Sequence, residues 1–352
     1  VTSTFATLRR PQWRYPAIGM VIWLVVGALA LGSALDFPLV TMLLLLAPLV
    51  MIPLGCRLTT DMPLLEPVAL VAASVLIPAA MLGNGMAGAL LCTPWLAVST
   101  ARAVVTWHAF TRERFELGQL GLCVAVTYLV VGASFNVLFH AGIVLFDVGE
   151  AIMQLTAVHF QYAGYGALVV VVCVFRAMPP NTRRFLAPIV VLTAVGPPLV
   201  ALGFTWHVGV AQIGGAIVLA VALWSVAILT LLIVVPRRRG ATKALLTVSS
   251  LAVLAPMGLA ITWASAEYFD LPALSVPDMA RVHGTLNAVG FVVCGMLAWR
   301  LDAASRDAAS RDPASRDPAS RDPASRDPAG SNTETRTDSV APSDAGVRGD
   351  RR

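Results

Sequence analysis

Hydrophobic runs of about 20 residues recur from Pro16 to Trp299, separated by short polar stretches. That is the length of helix needed to cross the hydrocarbon of a bilayer. In lipid the backbone has no water to bond, so such runs fold as helices, which satisfy their own donors and acceptors. The pattern predicts ten spans, near 16–35, 38–56, 64–82, 86–106, 118–140, 151–175, 185–205, 209–235, 244–265 and 281–300. The expected fold is all-α, a polytopic transmembrane helical bundle. Asp36-Phe37-Pro38 and Gly83-Asn84-Gly85 punctuate it with residues that adopt or fix turn dihedrals.

Prolines are frequent inside the spans. Gly196-Pro197-Pro198 falls in the middle of the seventh. Two consecutive prolines remove two backbone donors, which predicts a kink or break there. Broken helices expose backbone to substrate in some transporters.

The bundle is expected to occupy 16–301, flanked by a basic segment at 1–15 and a separate tail at 302–352. Arg9, Arg10 and Arg14 precede an apolar run from Ala17 to Leu35 with no clear small-x-small site after it, so this run reads as a retained first helix. From Ala304 to Pro328 the tail repeats ASRD followed by Ala or Pro in five units. It has too little apolar surface to offset the entropy of ordering and is expected to be disordered. Its Arg and Asp alternate, so it is no polybasic lipid clamp.

Charge sets the expected orientation. With the N-terminus inside, fifteen Lys and Arg fall on inner segments before the tail, and Arg281 alone falls outside. The bias predicts N- and C-termini in the cytoplasm and a multi-pass protein of the cell membrane. The chain is 57% hydrophobic and 13% charged, against about a quarter charged for a soluble domain. The net charge of +5 is dispersed and lacks a basic face interleaved with aromatics, so no nucleic-acid partner is expected; the bilayer is the expected partner. The five cysteines show no CxxC or zinc spacing and read as small buried hydrophobes.

Span counting places His140, His159, His207 and His283 towards the outer side. Asn136 and His140 are four residues apart on one helical face, as are His283 and Asn287. With Asp147, Glu150, Tyr162, Glu267 and Arg281 they make a polar set at similar depth. Ionisable groups in lipid are costly, so their convergence marks a candidate site. His159, Tyr162, His283, Asn287, Asn136, His140, Glu150 and Glu267 are the candidates for handling a solute or protons. Imidazole also suits transition metals, which makes His159, His283 and His140 alternative ligands to haem or a metal ion. A third use is to hydrogen-bond neighbouring helices, as in a scaffold or sensor. No Walker A loop, HExxH, GxSxG elbow or GxGxxG in strand–helix context occurs. An ATP-driven pump or a standard hydrolase is therefore not expected, and no catalytic residue is assigned.

The patterns His159-Phe160-Gln161-Tyr162-Ala163-Gly164 and His283-Gly284-Thr285-Leu286-Asn287-Ala288-Val289-Gly290-Phe291 resemble those of the YndJ-like family of bacterial membrane proteins. The similarity extends over most of the membrane region, to about residue 300, and not over the tail. It implies an integral membrane protein of a group sometimes labelled transporters, and it points to His159, Tyr162, Gly164, His283, Asn287 and Gly290. A transporter of a small solute or ion is the leading expectation, with no cofactor; a haem or transition-metal redox protein and a non-catalytic scaffold are the alternatives.

Overall fold

The computed structural model describes residues 13–112, 115–146 and 148–309. The described residues contain helices and no strand. Among the described residues, nine helices are long and apolar enough to cross a membrane. We number the ten apolar segments in chain order: α1 (Arg14–Leu31), α2 (Leu39–Gly55), α3 (Leu65–Leu82), α4 (Met86–Arg112), α5 (Leu117–His140), α6 (Glu150–Ala177), α7 (Pro180–Trp206), α8 (Gly209–Arg237), α9 (Gly240–Ala252 continued by Leu254–Phe269) and α10 (from Val276). All ten expected spans are present as helices. Residues to Ser305 form one compact unit. The last stretch of α10, Cys294–Ala309, carries the helix past the expected boundary at 301. Asp302 is held there by an ion pair with Arg238 at 2.8 Å. The remainder of the expected tail lies outside the described residues, as does the N-terminal segment up to Gln12.

The helix surfaces show which solvent they meet. Val71, Leu90, Val210 and Leu232 are all more than 60% exposed. Apolar side chains on this scale are a liability in water and the normal surface in lipid. The helix α2 differs: it is buried along nearly its whole length and, at about 25 Å, is shorter than the hydrocarbon. It serves as the core around which other segments pack. At Gly19, α1 crosses it so closely that an added Cβ would lie 1.7 Å from the Leu49 carbonyl oxygen. Pro53 cannot donate to that oxygen, its usual partner four residues back.

The expected break at Gly196-Pro197-Pro198 does not occur: α7 is a continuous α-helix. Pro198 leaves the Ala194 carbonyl without its usual donor, and the Tyr128 hydroxyl of α5 donates to that oxygen instead. The neighbouring helix repairs the ladder. Tyr128→Phe keeps the ring against Gly164 and removes only this donor. We expect it to cost about 1–3 kcal/mol, read as a lowered melting transition of the purified protein in detergent.

Irregularity falls elsewhere. Five stretches of wide, π-type turn interrupt the described helices: Ala47–Met51 in α2, Phe160–Gly166 in α6, Thr230–Val234 in α8, and Ala280–Gly284 and Leu286–Val293 in α10. Such turns cluster at functional sites in other proteins. Three of them lie in α6 and α10, whose close approach is made at Gly166. A Cβ there would meet Val292 of α10 at 2.6 Å and the Met51 sulfur of α2 at 3.3 Å.

Candidate functional site

Two cavities lie near the end of the bundle that carries the α5–α6 turn. The larger, about 240 Å³, is lined from α2, α5, α6, α7, α8, α9 and α10. Its walls are overwhelmingly apolar; Phe135, Phe160, Phe204, Trp263 and Phe291 supply aromatic surface. Pro197 of α7 also lines it. Phe146, in the turn before α6, contributes from a left-handed backbone conformation at φ 61, which is unusual for a bulky residue.

Against this background stand His159, His283 and Asn287. His159 is the last α-helical residue before the π-type stretch of α6, and His283 lies within the first such stretch of α10. Their ring centroids are 6.3 Å apart with an interplanar angle of 28°. Each ring is fixed through Nδ1, which lies 2.7 Å from the Leu155 carbonyl oxygen in His159 and 2.8 Å from that of Pro256 in His283. A carbonyl can only accept, so Nδ1 carries the proton in both, and Nε2 is the lone-pair nitrogen of each neutral ring. The His283 bond joins α10 to α9. Asn287, one turn on, places Nδ2 3.3 Å from His283 Nε2. Its Oδ1 is buried without a hydrogen-bond partner. The site therefore presents acceptors: the His159 Nε2 lone pair and the Asn287 carbonyl oxygen.

Tyr162 lines the same cavity with its ring, but its hydroxyl donates to the Leu43 carbonyl oxygen at 2.9 Å and ties α6 to α2. The remaining expected residues are distributed elsewhere. His140 and Asn136 line the second cavity, about 170 Å³, with Thr41, Asn84 and Gln154. There His140 Nδ1 is 3.0 Å from the Gly83 carbonyl oxygen, and Gln154 donates to Thr41 at 3.1 Å. The structure thus divides the expected polar set, and His140 is not a neighbour of the His159–His283 pair. Glu150 is exposed at the start of α6 and accepts from Asn84 at 3.3 Å. Arg281 pairs with Asp278 at 2.9 Å on the surface. His207 ends α7 in a left-handed turn, and His108 is exposed on α4. Asp147 and the Glu267 side chain lie outside the described residues.

No group of three or more His, Cys, Asp or Glu suited to a metal ion occurs among the described residues. A second cluster, outside the polar set that the sequence singles out, lies at the opposite end of the bundle. Arg102 and Arg300 belong to it; the charge pattern treats them as flanking residues, yet they are only 1% and 2% exposed. The signal was present: Arg102 lies within the apolar run of α4, which contains no acid.

Ten apolar helices and a lipid-type exterior define a multi-pass integral membrane protein. A family model described as YndJ-like protein matches residues 42–291, and the chain belongs to that family. Among curated proteins, it is 25% identical over 193 residues to the uncharacterised membrane protein YndJ of Bacillus subtilis (strain 168), covering 54% of this chain and 34% of that one. The chain thus spans about a third of the length of the curated relative it matches. No solved structure matches it significantly.

Proposed function

We propose that this protein is a transporter for a small amphipathic solute, taken up by the cavity between α6 and α10. The observation that carries the reading is the pairing of His159 with His283 in an otherwise apolar chamber. Apolar walls favour an apolar body. The free acceptors at His159 Nε2 and Asn287 Oδ1 favour a head group that donates, such as a hydroxyl or an amine. Asn287 Oδ1 is buried, and a buried acceptor left unpaired is costly, so a molecule lacking the donor is disfavoured by more than the bond alone is worth. Charge bias supports an N-in, C-in arrangement in the cell membrane with the cavity towards the outer face. Reporter fusions in the α2–α3 and α5–α6 turns should read inside and outside respectively; the reverse would overturn that orientation.

The test compares 1-decanol with decyl methyl ether, which share an apolar body and differ in the donor. Purified protein should bind the alcohol saturably and about tenfold or more tightly than the ether. Protein in liposomes should accelerate exchange of the alcohol between them. Equal binding of the two probes, or exchange no faster than in empty liposomes, counts against the assignment.

The paired lone-pair nitrogens support a second reading, a transition metal held by His159 and His283. Imidazole nitrogens bind such metals at about 2 Å, and solvent or substrate would complete the coordination. Stoichiometric metal in purified protein, lost in His283→Leu, would favour it over the solute site.

A further inference from the structure

At the other end of the bundle, cationic donors are buried in excess of acceptors. Arg102 of α4 is 1% exposed, and its Nε, Nη1 and Nη2 all lack a hydrogen-bond partner. Arg300 of α10 is 2% exposed. Its Nη1 donates to the carbonyl oxygens of Pro53 at 2.6 Å and Leu54 at 3.1 Å, while Nε and Nη2 have no partner. The Tyr165 hydroxyl of α6 is also fully buried and unpartnered, packed against Gly55. The Cys56 sulfur and the Glu66 carboxylate each lie within electrostatic range of both arginines. Glu66, 9% exposed, is the one buried acid in the group; Arg57 and Asp61, exposed at its margin, offset each other.

A guanidinium does not shed its proton in a protein, so burial cannot neutralise it. Left unpaired in low dielectric it is strongly destabilising. Two buried cations against one buried anion leave an excess positive charge, and five guanidinium nitrogens remain for two carboxylate oxygens. We propose that this cluster is a binding site for a small oxyanion of the phosphate type, held by Arg102 and Arg300 with the Tyr165 hydroxyl as a further donor. Guanidinium forks match the geometry of such anions. The phosphate could be a free ion or a phospholipid head group; the near-complete enclosure favours the free ion. This site is independent of the histidine cavity and of any transport reading.

The test titrates inorganic phosphate into the full chain, purified in a phosphorus-free detergent. One phosphate should bind per chain and raise the melting transition more than chloride at equal ionic strength. Arg102→Gln and Arg300→Gln should each weaken binding about tenfold or more, while Arg112→Gln, on the exposed end of α4, should leave it unchanged. Glu66→Gln removes the competing negative charge and should tighten binding several-fold. Arg102→Lys keeps the charge and should retain part of the affinity, which preserves the test should Arg102→Gln fail to fold. Native mass spectrometry separates the sources: a retained phospholipid that phosphate displaces indicates a head group, and phosphate binding without one indicates a free ion. Absence of phosphate-specific stabilisation together with absence of retained phospholipid overturns the proposal. So does unchanged binding in Arg102→Gln, or unchanged or weakened binding in Glu66→Gln.

Discussion

Gly19→Val is expected to abolish the folded protein. The position has no special dihedral; it fails for lack of space. A Cβ at residue 19 would stand 1.7 Å from the Leu49 oxygen and 2.7 Å from its carbonyl carbon. Both atoms are backbone, so no rotamer change relieves the overlap, and α1 must lift away from α2. Lifting it exposes Met42 and breaks the 2.8 Å bond from the Trp23 indole to the Met42 carbonyl oxygen. Overpacking that forces a backbone shift costs about 1–3 kcal/mol and occasionally more. Here it adds to the lost hydrogen bond and to the opening of the helix around which the bundle is built. The check is size-exclusion chromatography of detergent-solubilised protein, with Gly27→Val as the companion. At Gly27 the nearest atom is a flexible methionine methyl at 3.4 Å, and a normal monodisperse peak is expected. A monodisperse Gly19→Val protein with an unaltered melting transition would contradict the α1–α2 crossing.

The second large effect is expected at the histidine pair. His159→Leu or His283→Leu preserves an apolar chamber and removes one of two facing imidazoles. Each should reduce 1-decanol binding about tenfold or more, and the double variant should lose little beyond the worse single one, because His283 holds Asn287, which shares one head group with His159. Stability should separate from binding. His159 bonds only within its own helix turn, so His159→Leu should shift stability by less than about 0.5 kcal/mol. His283 bridges to Pro256 of α9, and its loss should cost about 1 kcal/mol. If both variants lowered the melting transition and left probe binding intact, the imidazoles would be interhelical fasteners and the protein a scaffold in this region.

The helical architecture was legible because its signal is long and repeated. Each span is about twenty apolar residues, and lipid leaves the backbone no alternative to a helix. The shortness of α2 was less visible, since apolar residues such as Phe37 and Leu58 continue the run beyond its ends. The continuity of α7 through Pro197 and Pro198 was not legible, because the compensating donor, Tyr128, lies far away in sequence. The meeting of His159 with His283 followed from their common depth, but His140 shares that depth and is turned into another cavity. Depth is set by counting along a helix; azimuth depends on how neighbouring helices are rotated. The π-type stretches alter that rotation and have no plain residue signature. Arg102 and Arg300 were hidden for a different reason: a rule about flanking charge counts residues by sign and does not ask whether they are solvated.

The wide turns of α6 and α10 have a consequence for variation by length. Each holds a surplus residue relative to a regular α-helix, so excising one amino acid from Phe160–Gly166 would allow that stretch to tighten and remain helical. The tightened turn takes up the lost residue and keeps the two sides in phase. The same excision from the regular stretch Ala167–Ala177 would swing everything on one side by about 100° relative to the other. Single-codon deletions are therefore tolerated best inside the wide turns, a class of variation that point substitution does not reproduce.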